Sequence, residues 1–514
     1  MSTPEPSTST SNTPAPGAID LAYGLDDRPK PFPKALALGT QHVLTMFGAT
    51  VAVPFIVAPF LDFDAAQLAI LLSAVFITSA VATILQVTLG SRLPIVQGMS
   101  FAFLGPVIGI AAAYPGEDAM RYIAGAIMAG ALVEMLVGFG GLGGLLRRYV
   151  TPITIAPVIA LIGLSLYDAA VINAEGSWSL ALLTVVLILG FALLLAPKVR
   201  LFSLFPILLA VVGAYLGALL LSVTGVLSED SAAYVAFGAV GETPWFRGFE
   251  LGGGGLLFPW GTPLFDIGFF IAILAAYLAS MVESFGDYHA VSRMAGAGDP
   301  DARTINRGLG MEGVGCFLTG LFGGFASTSY SENIGLVGIT RVASRYVVVL
   351  GAGVLLLFGL ISKVGGVIAT IPVPIVGGVY LALFGLIAAI GLANLRRVDL
   401  DSQRNLMIIG FVLFMGFVVP HYFANYAPDD WSLFGIEWLS SIVAAVGSSG
   451  VAIAAVLGLL LDNLVPGTDA ERGVGTYDLA PVTDPRATEV AGEPEVGAGA
   501  PAVDEPATTD DDLD

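Results

Sequence analysis

From about residue 36 to residue 462 the chain is a succession of apolar runs, each close to the length that crosses a bilayer as a helix, parted by short clusters of charge or by Pro and Gly breaks. No other feature restricts the fold so tightly. Of 514 residues, 12% are charged and 56% hydrophobic, whereas soluble domains are about a quarter charged. A water-soluble enzyme is excluded, and the expected class is an all-α polytopic membrane protein.

The runs fall at 36–60, 66–89, 93–113, 120–142, 149–170, 179–196 and 203–226, then at 264–291, 305–324, 327–343, 346–367, 371–393, 404–422 and 435–462, which makes fourteen transmembrane segments. Eighteen of the 21 Lys and Arg residues then lie at alternate ends of the layout, against Arg121, Arg247 and Lys363 at the others. Such a bias places both termini in the cytoplasm. The long connection at 227–263 separates two sets of seven. With an odd number in each, related halves must be inverted with respect to one another, a 7+7 inverted repeat.

The net charge of −20 is concentrated at one end, since residues 467–514 hold 13 acids against Arg472 and Arg486. That composition cannot bury enough apolar area to offset ordering entropy, so the tail and residues 1–20 are expected to be disordered. The acidic tail and the low lysine count fit either adaptation to high salt or a solvated interaction tail. No basic stripe exists to neutralise phosphates, which argues against a nucleic-acid partner. Residues 1–20 carry no apolar signal segment, so the first span is expected to direct insertion. Cys316, the single cysteine, cannot form an intramolecular disulfide. Three scattered histidines give no metal-ligand spacing, and no phosphate loop or nucleophile elbow is present, so neither a metal centre, an ATP-driven pump nor an enzyme is expected.

Spans 3 and 10, at equivalent places in the two halves, are poor helices. The third is interrupted by Pro94, Gly98, Gly105 and Pro106, and the tenth opens on the polar stretch Ser327-Thr328-Ser329-Tyr330-Ser331. Short extended stretches are expected there. Irregular backbone at membrane depth survives only where protein or a wet cavity satisfies it, and paired breaks mark a midplane binding site. Five acids lie within the spans: Glu134, Glu283, Asp287, Glu312 and Glu332. An intramembrane carboxylate is functional by default. Glu283 and Asp287 share a helix face and suit proton or cation coupling, while Glu332 sits at the break itself. Glu134 and Glu312 read as bundle-facing acids bonded to neighbouring hydroxyls, and His42 as a satisfied structural histidine.

The string Glu332-Asn333-Ile334-Gly335-Leu336-Val337-Gly338-Ile339-Thr340-Arg341 fits the signature of the nucleobase/ascorbate transporter family, also called nucleobase:cation symporter type two. Gln41-His42, Gly98 to Phe103 and Glu283-Ser-Phe-Gly-Asp287 resemble three further motifs of it, and the resemblance spans about 36–460. It implies a core domain (35–148 and 264–368) and a gate domain (149–226 and 369–464), flanked by a disordered N-terminus (1–34), the extracellular connection (227–263) and the acidic tail (465–514). It further implies a plasma-membrane homodimer working by an elevator motion and carrying a small-molecule nucleobase, with no organic cofactor. Carried over by position, Glu283 and Glu332 accept N–H donors of the base and Phe101 stacks on it, with Ser100, Asn333 and Tyr330 beside them. Glu283, Asp287, Gln41 and His42 take part in coupling to H+ or Na+. Glu at position 332 points to uracil or an oxopurine such as xanthine. The stretch 305–422 is similar to animal ascorbate carriers, so ascorbate or another anion is the alternative substrate. A non-transporting receptor or scaffold, with the tail as its output, is the alternative of a different kind.

Overall fold

The computed structural model describes residues 21–144, 149–241, 243–248, 250–428 and 431–473. The expected disorder of 1–20 and of the tail from 474 on, and the cations Arg147, Arg148 and Arg486, lie outside the described residues, whereas residues 465–473 of the tail expected to be disordered hold a capped helical turn. The chain begins with α1 (Phe32–Val57) and α2 (Ala65–Thr88), strand β1 (Gln97–Met99) and α3 (Leu104–Ala113). It continues through α4 (Gly116–Phe139), α5 (Pro152–Leu164), α6 (Tyr167–Glu175), α7 (Trp178–Leu189), α8 (Arg200–Leu204) and α9 (Pro206–Val223). After the long connection come α10 (Ile267–Met294), α11 (Ala302–Phe322), strand β2 (Ser327–Ser329) and α12 (Ser331–Thr340). The remaining helices are α13 (Arg345–Leu360), α14 (Ser362–Ala369), α15 (Val373–Asn394), α16 (Gln403–Asn425), α17 (Glu437–Gly447), α18 (Gly450–Leu464) and the single turn α19 (Asp469–Arg472).

Among the described residues, nine helices are long and apolar enough to cross a membrane, or ten if α13 and α14, bent by 76° at Ile361, form one span. Four of the fourteen apolar runs take another form. Runs 3 and 10 are each a strand followed by a short helix, the ninth is α11 with Arg303, Arg307 and Glu312, and the last is divided into α17 and α18.

The helix ends follow local chemistry. Asp64 and Gln67 form a reciprocal capping box at the start of α2, and Asp266 and Asp301 cap α10 and α11 through backbone N–H groups. Thr151 followed by Pro152 opens α5, with proline where its missing N–H costs nothing. At the end of α11 the chain leaves through Gly323 at φ 76°, a left-handed exit that aims it into β2. Helices α4 and α11 approach through glycines, and a Cβ on Gly138 would lie 2.0 Å from the backbone nitrogen of Gly310. Such contacts let van der Waals packing hold helices together where lipid offers no hydrophobic drive.

The two interrupted segments meet. Strands β1 and β2 pair antiparallel with Gln97 opposite Ser329, Gly98 opposite Thr328 and Met99 opposite Ser327. The Ser100 N–H donates to Ala326 O and the Tyr330 N–H to Val96 O, so the ribbon is closed at both ends. Because the strands are antiparallel, the helices that follow them, α3 and α12, start from opposite ends of the ribbon. Helices α1, α2, α10 and α11 pack around it.

Residues 21–31 depart from the expected free N-terminus. Tyr23 bridges to Val342, Asp26 pairs with Arg345, and the Asp27 carbonyl accepts the Ser344 hydroxyl. The segment is strapped to the turn after α12, because that turn exposes backbone groups that need partners. The long connection is fastened as well. Arg247 is buried and donates to the carbonyls of Gly254, Gly255 and Ile70, and Trp260 donates to Gly323 O at 2.8 Å. Burial lowers the Arg247 guanidinium to about 10, and the carbonyl oxygens around it compensate for lost water.

Candidate functional site

The ribbon is held by a polar web. Gln97 donates to Ser329 Oγ at 2.9 Å, and Thr83 accepts the Gln97 N–H at 2.9 Å. Beneath β2, Ser284 of α10 lies 3.1 Å from both Ser329 Oγ and Thr328 Oγ1 and donates to Glu312 Oε1 at 2.7 Å. Ser280 also donates to Oε1, and Tyr288 donates to Oε2 at 2.7 Å. Glu312 therefore has the hydroxyl partners expected of it. Glu134 differs from the same expectation, since it is fully buried and, among the described residues, neither carboxyl oxygen is hydrogen-bonded.

Glu283 and Asp287 lie one turn apart on α10. Asp287 is buried and accepts the Ser331 hydroxyl through Oδ1 at 2.7 Å, leaving Oδ2 without a partner. Glu283 is half-buried and lines a small open cleft between α5, α10 and α18. Its other walls are almost wholly apolar, including Val158, Ile162, Ala279 and Leu459, with Thr154 contributing a buried, unpartnered hydroxyl. Glu332 stands exposed in the first turn of α12 rather than buried, because that helix starts at the ribbon's edge. Glu332 follows Ser331, whose hydroxyl donates to Asp287, and Asp287 is one turn from Glu283, so the start of α12 is tied to the α10 acids. A carboxylate in the first turn also faces the positive end of the helix.

Phe101 follows the ribbon on its other side. Its half-buried ring meets Phe384 of α15 edge-on at 6.4 Å, and Phe384 stacks on Tyr380 at 5.2 Å. The Tyr380 hydroxyl donates to Ala52 O, which fixes the aromatic pair against α1. Ser100 is buried and its hydroxyl caps the turn Phe101–Phe103 through the Ala102 N–H. Tyr330 is buried and donates to Met99 O at 2.9 Å, with its ring over Gly98. Asn333 donates to His42 O at 3.0 Å and lies 3.2 Å from His42 Nδ1. His42 is thus the satisfied side chain expected on α1, tied directly to the signature helix. Gln41 beside it is half-buried.

The Xan_ur_permease family model, described as Permease family, matches residues 33–425. Human solute carrier family 23 member 2 is 35% identical over 89% of this chain and 77% of its own length. Nucleobase-ascorbate transporter 1 of Arabidopsis thaliana is 32% identical over 86% of this chain and 89% of its own. The chain belongs to the nucleobase/ascorbate transporter family. It is therefore a multi-pass membrane transporter acting on small molecules, not an enzyme. Among solved structures, the transmembrane domain of a cyanobacterium bicarbonate transporter, BicA, aligns with a TM-score of 0.56 at 16% identity, over 82% of this chain and 99% of that one. Murine Solute Carrier 26 family member A9, an anion transporter in the inward-facing state, aligns with a TM-score of 0.54 at 12% identity, over 85% and 69%. These likenesses concern the fold.

Several residues around the candidate site carry no distinguishing signal in the sequence. Tyr380 and Phe384, four apart on α15, form one aromatic face, but aromatics at helical spacing are ordinary in apolar spans. Ser280 and Ser284 share a face of α10 with no sequence signal for what lies opposite. Thr83, Gln97 and Thr154 are isolated polar residues whose partners are set by tertiary packing alone.

Proposed function

We propose that this transporter imports a nucleobase, uracil or an oxopurine such as xanthine, in symport with H+ or Na+. The observation that carries this reading is the gathering of Glu283, Asp287 and Glu332 around the ribbon, with the Phe101 ring at its far end. An imide of uracil or xanthine presents an N–H between two carbonyls. A carboxylate accepts that N–H in a charge-assisted hydrogen bond, the N–H groups at the starts of the two half-helices serve carbonyls, and an aromatic ring covers the flat face. Glu283 and Glu332 are the recognition carboxylates and Phe101 is the stacking ring. Ser100, Tyr330 and Asn333 set the positions of these groups through the bonds they already make. Asp287, with Gln41 and His42 on the facing helix, belongs to the coupling-ion side.

In this reading the fourteen segments form a 7+7 inverted repeat with both termini in the cytoplasm of a cell-membrane homodimer. The ribbon, α10 and α12 form part of a core that slides on a gate containing α5, α15 and α18. The apolar walls between α5, α10 and α18 suit such sliding, since few hydrogen bonds need to break. Helices α7, α9 and α16 leave most of their apolar surface uncovered, which offers faces to lipid or to a second copy.

The deciding experiment is uptake of labelled uracil, xanthine and ascorbate into proteoliposomes with pH and sodium varied separately. Uracil or xanthine should accumulate under an ion gradient, and Glu332→Gln should abolish accumulation while the protein remains folded. Accumulation of ascorbate alone, or undiminished nucleobase uptake by Glu332→Gln, overturns the proposal. Deletion of residues 467–514 should leave uptake intact; a scaffold using the tail as its output would lose function.

A further inference from the structure

Glu134 sits in the last two turns of α4, fully enclosed, and among the described residues neither carboxyl oxygen has a hydrogen-bond partner. The titratable groups facing it are Glu312 and Cys316 from α11 and Tyr277 and Tyr288 from α10. None of these is a cation. Three are already committed: Tyr277 donates to Ile127 O at 2.9 Å, Tyr288 to Glu312, and Cys316 to Ser327 O at 3.2 Å. An ionised carboxylate without a protein donor in an enclosed helix interface costs several kcal/mol. Glu312, by contrast, has three hydroxyl donors aimed at its oxygens, which is the environment that holds a negative charge. Two carboxyls that feel one another, one solvated by hydroxyls and the other stripped, form a pair with room for one shared proton.

We propose that Glu134 and Glu312 form a proton-binding site within the α4–α11 interface, with the proton resting on Glu134 and the charge on Glu312. This site lies behind the ribbon, where Glu312 also faces Glu283 and Asp287 of α10 without bonding to either, and it does not depend on which solute is carried. It is wired to the ribbon all the same. Glu312 orients Ser284, and Ser284 contacts Ser329 and Thr328 of β2. If the O–H bond on Glu134 breaks and one forms on Glu312, the charge moves to Glu134 and the Ser284 hydroxyl loses a charged acceptor. The strand carrying Tyr330 and the start of α12 then loses part of its support. The occupancy of this site thereby controls how firmly the two broken spans are joined.

Infrared spectroscopy of the full-length protein in lipid, without substrate, tests this through the carbonyl stretch of an undissociated carboxylic acid. Wild type should show such a band at neutral pH, and Glu134→Gln should lose it while keeping wild-type thermal stability with and without sodium. An unchanged band in Glu134→Gln, or no band in the wild type, overturns the proposal. So does a sodium-dependent stabilisation that Glu134→Gln removes, since the ligand would then be a metal cation. Gln brings two amide donors into a dry site, so Glu134→Leu provides the same spectral test without them. If neither variant folds, an enclosed neutral acid is the wrong description and the proposal fails. Because no substrate is added, these outcomes are independent of the uptake experiments.

Discussion

Gly98 is the point at which the geometry of the ribbon can be tested by one methyl group. A Cβ at this position would lie 2.4 Å from Cζ, 2.6 Å from Cε2 and 2.8 Å from the hydroxyl oxygen of Tyr330. Ordinary carbon contacts are about 3.5–4.0 Å, so in Gly98→Ala the ring must retreat by roughly 1 Å. Forcing extra volume into a packed interior costs about 1–3 kcal/mol. The retreat also removes the Tyr330 bond to Met99 O, worth about 1 kcal/mol. The expected loss is therefore about 2–4 kcal/mol, accompanied by a fall in uptake, because Tyr330 immediately precedes the helix carrying Glu332. Gly335→Ala is the matched control, since nothing lies within 4 Å of its Cβ and alanine favours a helix interior.

A double-mutant cycle with Tyr330→Ala, read by denaturant unfolding in detergent, isolates the cause. With the ring gone, the methyl has room, and Gly98→Ala should be nearly silent. The coupling between the two substitutions should then equal the whole Gly98→Ala loss, about 2–4 kcal/mol. Additivity within about 0.5 kcal/mol, or wild-type stability in Gly98→Ala alone, would show that the ring does not rest on this strand.

Glu312→Leu should be less stable than Glu312→Gln by about 1–3 kcal/mol, because leucine leaves the hydroxyls of Ser280, Ser284 and Tyr288 without their shared acceptor; equal stabilities in thermal unfolding would contradict this. Asp462 is fully buried between Arg404, Arg472 and the Thr151 hydroxyl, so Asp462→Ala should cost about 3–5 kcal/mol by stranding two guanidiniums, and added salt should restore little of it. Asp301 is held below the usual aspartate range by the Thr304 hydroxyl and N–H, so its capping contribution is present above the unfolded value and is lost as pH falls through the folded one. The stability deficit of Asp301→Ala should accordingly shrink on acidification, and a deficit independent of pH would refute the assignment. Phe384→Ala removes the edge contact to Phe101 and should raise KM for a planar base more than it lowers kcat; a pure kcat effect would place Phe384 outside recognition.

The legible parts of this molecule were those governed by one-dimensional rules. Apolar length marked the crossing helices, and proline, glycine and consecutive hydroxyl residues marked the two interruptions at 93–106 and 323–335. Interior acids mark the candidate site, since hydrocarbon admits them only with a reason. What sequence could not supply was which polar group meets which. Nothing local links Gln97 to Ser329, 232 residues away, or Asn333 to His42, 291 residues away. Glu134 and Glu312 carried the same expectation, and only the packing of α4 against α11 and α10 gave one three donors and the other none.

That asymmetry follows from the ribbon itself. Two strands of three residues, alone in a membrane protein, have open edges on both sides, and each edge needs donors and acceptors that hydrocarbon cannot provide. The chain supplies them with side chains: Thr83 on β1, Ser284 and Cys316 on β2. Ser284 can serve β2 only if its own proton is directed elsewhere, and Glu312 is the acceptor that directs it. A carboxylate behind the ribbon thus meets a structural need of these interrupted helices, and under the proton-site proposal its charge would make the crossing sensitive to protons. The break that frees backbone N–H groups at the half-helices is therefore the same feature that obliges the protein to bury acid, and in the proposed transport reading recognition and ion sensitivity would both arise from it.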